Sequence, residues 1–193
     1  MKETIIVNPS PTAEWHALVV EAKQAAAASL PEEIESYLVF LLMRFANTPE
    51  IVTSILATDF LQSLGQLRRE RLDTLREVGD KCLLFAGLFP GTARRRRVRI
   101  SYFVKLGQTA YSSLSENRNS RISDLYADLC EQFVLLMDVL QTMRELNVQS
   151  NSIDLLQAEE LWADTKSQHA LKTLRQSTQG FSLPHSFNNS HKH

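Results

Sequence analysis

Five arginines, Arg94, Arg95, Arg96, Arg97 and Arg99, occupy six consecutive positions just after a Phe89-Pro90-Gly91 turn. Guanidiniums this close repel one another unless carboxylates or anions stand between them. Each also offers a planar fork that matches a carboxylate or a phosphate. The apolar periodicity predicts a helix from about residue 98, whose first N–H groups also favour an anion. Acids are the usual occupants of a helix start, so a run of bases there is a local inconsistency of the kind found at functional sites. Either carboxylates of the same chain neutralise the run, or it holds a phosphate-bearing ligand, a nucleic-acid backbone or an acidic protein surface.

Other residues near the run carry weaker chemistry. Asp80, between Gly79 and Lys81, is the one carboxylate in this central stretch. It suits a helix cap or an ion pair with an arginine better than proton transfer. Tyr102 can stack on a base, whereas Phe103 belongs to a core. An enzyme reading would gather Asp80, Tyr102, Tyr111 and the arginines into one helical pocket. Nothing else points to catalysis: the chain has no G-x-S-x-G, P-loop or G-x-G-x-x-G pattern. Cys82 and Cys130 lie in apolar runs, where thiols are inert. His16 and His169 stand alone, and His185, His191 and His193 lack a rigid scaffold, so no metal site is expected. Glu160 and Asp164 share a helical face at i, i+4 and read as a solvated acidic face. No cofactor motif is present.

The overall charge of −1 hides a pattern. Residues 1–63 hold 3 basic and 8 acidic residues, 64–121 hold 13 and 5, and 122–193 hold 5 and 9. A basic middle third therefore sits between two acidic ones. A near-neutral total is unlike dedicated nucleic-acid binders, and no zinc-finger, RNP or helix-turn-helix pattern is recognisable, so nucleic acid ranks behind an acidic or phosphorylated partner. The longest apolar run, Tyr37 to Met43, is far short of the roughly 20 residues that span a bilayer. With two isolated cysteines and no secretory pattern, a soluble cytoplasmic protein is expected.

The elements that must position these residues are helices. Six glycines and six prolines in 193 residues are few, which favours long regular elements. Helices are expected from Ser10-Pro11 through the Ala25–Ala28 run, at 32–46 after Pro31, from Thr48-Pro49 to Gly65, and at about 66–78. Gly79-Asp80 is either a break or a tolerated kink, and the helical pattern continues to about Leu88. Three more are expected at about 98–115, 121–147 and 152–176. Gly107 and Ala110 would let a neighbour approach closely. The result is an all-α, single-domain bundle of six or seven helices over 11–176, with a loose N-terminus (1–10) and a disordered tail (177–193). The helices at 32–46 and 121–147 should be the most buried. The alanine-rich first helix and the apolar second one also permit a homodimer.

Gly79, Asp80, Gly87, Phe89, Pro90, Tyr102, Phe103, Gly107, Ala110 and Tyr111 form a pattern over 79–111 that resembles a family of uncharacterised bacterial helical proteins. The resemblance implies a bacterial protein and supplies no mechanism. The function expected from the residues is that of a non-enzymatic interaction or regulatory module, with Arg94–Arg97 and Arg99 as its contact.

Overall fold

A computed structural model describes residues 10–46, 60, 61, 63, 65, 68–116, 121–148 and 153–179. Every regular element among these residues is an α-helix, and there are nine. They are α1 (Pro11–Ala25), α2 (Glu32–Ala46), α3 (Arg68–Gly87), α4 (Gly91–Arg95), α5 (Ile100–Ser115), α6 (Arg121–Glu131), α7 (Phe133–Val148), α8 (Leu155–Thr165) and α9 (Gln168–Gln179). No described helix is long and apolar enough to cross a membrane.

The expected starts of α1 and α2 appear where the sequence places them. The Ser10 hydroxyl accepts from the Ala13 amide at 3.3 Å, and Pro11 takes the first helical position, where its missing N–H costs nothing. Glu32, Glu33 and Glu35 fill the first turn of α2 and complement its dipole.

The count of six or seven helices is too low, for three physical reasons. First, the arginine run is itself helical: Arg94 and Arg95 end α4 instead of preceding a helix. Second, the expected 121–147 helix divides at Gln132, although the Gln132 amide still bonds Asp128 O and the Leu136 amide bonds Gln132 O, both at 2.9 Å. Third, the expected 152–176 helix divides at Lys166-Ser167, where Asp138 of α7 intervenes. Its buried carboxylate accepts from Ser167 Oγ (2.6 Å), the Gln168 amide (2.9 Å) and the His169 amide (3.2 Å), so a tertiary contact caps α9. In the other direction, Gly79-Asp80 does not break α3, which runs unbroken through it. Of the expected helix from Thr48 to Gly65, the described residues 60, 61 and 63 are helical and most of the rest lies outside the described residues, as do most of the loose N-terminus and tail.

The core is one cluster centred on α3, α5 and α7. Val78 to Gly87 is buried without interruption, and α7 buries Leu136 to Met143. α2 is less enclosed than its sequence implies, since Phe40 is 62% exposed. Close approach of α3, α5 and α7 depends on Gly107, as its position suggested. A Cβ there would stand 2.5 Å from the Phe133 ring and 2.9 Å from Cys82 Cβ.

Candidate functional site

Two groups of the candidate residues lie in different places. The first surrounds Asp80. Its carboxylate, 1% exposed on α3, accepts from Tyr37 Oη (2.5 Å) and Tyr111 Oη (2.7 Å) through Oδ1. Oδ2 accepts from Arg44 Nη2 (2.5 Å) and has Arg76 Nε at 3.8 Å. Four helix positions on α2, α3 and α5 thus converge on one side chain. Tyr126 of α6 closes the group, stacked on Tyr111 with ring centroids 5.9 Å apart. Gly79 makes room, because a Cβ there would fall 2.4 Å from Tyr111 Cε1.

Burial raises the Asp80 carboxyl's pKa, while Arg44 and the two tyrosine hydroxyls oppose that shift. The same burial, with the adjacent carboxylate, pushes Tyr37 and Tyr111 far above the ordinary phenol range, so both hydroxyls stay protonated and donate. A small cup of about 240 Å³ opens onto this group, lined by Tyr37, Phe40, Leu41, Arg44, Arg76 and Asp80 itself. Three short donors hold the carboxylate and occupy three of its roughly four lone-pair sites. Its chemistry is that of a bracket fastening α2 and α5 to α3. Of the residues singled out from sequence, Asp80 and Tyr111 belong here.

Tyr37, Arg44 and Arg76 were not anticipated. Arg76 was legible as an i, i+4 partner of Asp80 on one helix. Tyr37 and Arg44, two turns apart on α2, share a face. That face reads as an apolar stripe, and nothing local in it points to a residue some 40 positions away.

The second group is the arginine corner. Chain carboxylates engage part of it. Arg94 pairs with Asp154, and Arg99 with Glu160 Oε1 (3.3 Å) and Asp164 Oδ2 (3.5 Å). Asp154 also caps α8 in a reciprocal box with Gln157. Asp164 accepts from Ser101 Oγ (2.6 Å) in the first turn of α5, so the anion beside that basic helix start is supplied by α8. This hydrogen bond, with Arg99 beside it, holds Asp164 below the ordinary carboxylate range. Arg96 lies 5.3 Å above the Phe85 ring, a cation–π contact.

Arg95 and Arg97 differ. Both are exposed, and neither pairs with a carboxylate among the described residues. Arg95 reaches only Thr92 Oγ1 at 3.1 Å. Arg97 adopts φ 56°, a left-handed conformation in which the Val98 amide bonds Ala93 O and the Arg97 amide bonds Arg94 O. This is the Schellman ending that normally selects glycine. Tyr102, 38% exposed, lies edge-on to Phe103 and does not join Asp80 and Tyr111.

Beside the corner run two open grooves. One, of about 710 Å³, is lined by Trp15, Leu88, Phe89, Met143 and Val148 with Arg94, Arg95 and Arg144 around it. The other, of about 770 Å³, includes Ile153, Leu155 and Leu156. They meet at Gly91, Arg94 and Arg144. Among the described residues no group of three or more His, Cys, Asp or Glu is placed to hold a metal. No family model matches the chain, and no curated protein or solved structure matches it.

Proposed function

We propose that this chain is a non-enzymatic bacterial interaction or regulatory module of the cytoplasm, holding an acidic or phosphorylated partner at the arginine corner. The observation that carries the reading is the contrast within the run. Arg94 and Arg99 are balanced by carboxylates of α8, while Arg95 and Arg97 stand exposed without one among the described residues. An arginine kept where the backbone favours glycine adds to it, since strain of this kind concentrates at functional positions. Both cysteines are free, as suits a reducing compartment.

The test is charge reversal at the two exposed arginines. Arg95→Glu with Arg97→Glu should weaken capture of poly-glutamate or polyphosphate by about tenfold or more, since a favourable charge is replaced by a repulsive one. Thermal unfolding should move little, because no ion pair among the described residues is lost. Undiminished capture overturns the proposal. Retention of duplex DNA with a steep salt dependence, and none of poly-glutamate, would reassign the face to nucleic acid.

A further inference from the structure

The arginine corner is one edge of a larger surface. The grooves on either side of it meet at Gly91, Arg94 and Arg144 and form one channel, whose rim carries Arg95 on one side and the Arg94–Asp154 pair on the other. Its floor is apolar and open. Val148 is 58% exposed, Leu155 50% and Leu156 66%, with Trp15 and Phe89 half-buried beside them. Scattered exposed apolar residues need no explanation, but a contiguous set rimmed by charge marks an interaction site. A free phosphate or sugar phosphate would use the rim and leave this floor wet. A flat nucleic-acid backbone would do the same.

We infer that the occupant is an amphipathic acidic segment of a partner protein, which lays apolar side chains along the channel and sets carboxylates against Arg95 on its rim and Arg97 in the same short run. The inference rests on the reading of the corner as a site for acidic partners and names the partner's chemistry. Charge complementarity selects the sign of the segment. The apolar floor selects a segment with one greasy face, the helix-in-groove mode of recognition. Gly91 sits at the junction of the two grooves, and a Cβ added there meets nothing within 4 Å. That position is therefore the natural place to block the channel without touching any arginine.

The experiment is fluorescence anisotropy on the full chain with two labelled peptides of about 18 residues, long enough for five helical turns. Both are built from Glu, Leu and Ala. One has leucines at i, i+3, i+4 and i+7, and the other is a shuffled sequence of identical composition. The amphipathic peptide should bind at least about tenfold more tightly, a difference of about 1.4 kcal/mol. Gly91→Trp should abolish that advantage, and Val148→Glu, at an exposed position, should reduce it. Equal binding of the two peptides, no binding of either, or an advantage that survives both substitutions overturns the inference. Polyphosphate separates the two levels. If Arg95→Glu with Arg97→Glu weakens polyphosphate capture while the peptides do not differ, the channel falls and the corner stands. If the double reversal weakens neither probe, the corner falls as well.

Discussion

Asp80 gathers more of the molecule than any other polar side chain described. It is buried, and its partners come from three helices. Asp80→Ala should destabilise the protein by about 1–3 kcal/mol for each of the two phenol hydroxyls that loses its acceptor, with a smaller loss from Arg44, which reaches water. Asp80→Asn keeps an acceptor and should cost less. Urea unfolding of both variants measures the difference, and equal losses would show that the carboxylate's charge, which both variants lose, sets the cost. Asp164 makes the opposite case at the surface. Its pKa is lowered in the folded state, so its contribution is present above the ordinary carboxylate range and lost as pH falls through the folded value. Ser101→Ala should therefore lower the melting temperature at pH 7, with the effect vanishing only once the pH falls below the folded value of Asp164. That Asp80 would pair with an arginine was legible in its chemistry. Which arginine was not. The nearby run supplied obvious candidates, yet Arg44 reaches it from α2.

At the level of elements, the capped start of α1 and the acidic first turn of α2 were readable because Ser10, Pro11 and the glutamates after Pro31 act locally. Breaks were harder to read. Glycine at position 79 looks like a helix end, yet it sits inside α3 to admit the Tyr111 ring. The break between α8 and α9 comes from Asp138, 29 residues from its partner Ser167, and no window on either segment contains both. Glycine's role thus depends on its neighbours in space. Gly79→Ala should cost about 1–3 kcal/mol through forced displacement of Tyr111. Gly91→Ala, with open space around it, should be neutral or slightly stabilising through its effect on the unfolded chain. Chemical denaturation of the pair provides the check, and a neutral Gly79→Ala would disprove the tight packing.

Across the whole molecule, the basic middle third is only partly balanced by its acidic flanks. The last third contributes Asp154, Glu160 and Asp164 to Arg94 and Arg99. The first third contributes a base, Arg44, to the buried acid of the middle third. Segment charge was therefore a fair guide to which thirds meet, and a poor guide to which residue carries which sign at the contact. The Asp80 bracket also has a consequence in time. Its hydrogen bonds join residues 31, 36 and 43 positions apart. Each requires a long loop to close first: the Tyr111 bond waits for α5 to dock on α3, and the Tyr37 and Arg44 bonds wait for α2. Tyr37→Phe should then leave the refolding rate nearly unchanged and speed unfolding, the signature of a contact made after the transition state. Stopped-flow chevrons would show this directly, and a slowed refolding arm would place the bracket in the nucleus instead. Late closure makes Asp80 a latch: it adds nothing to the search for the fold and lengthens the lifetime of the fold once found.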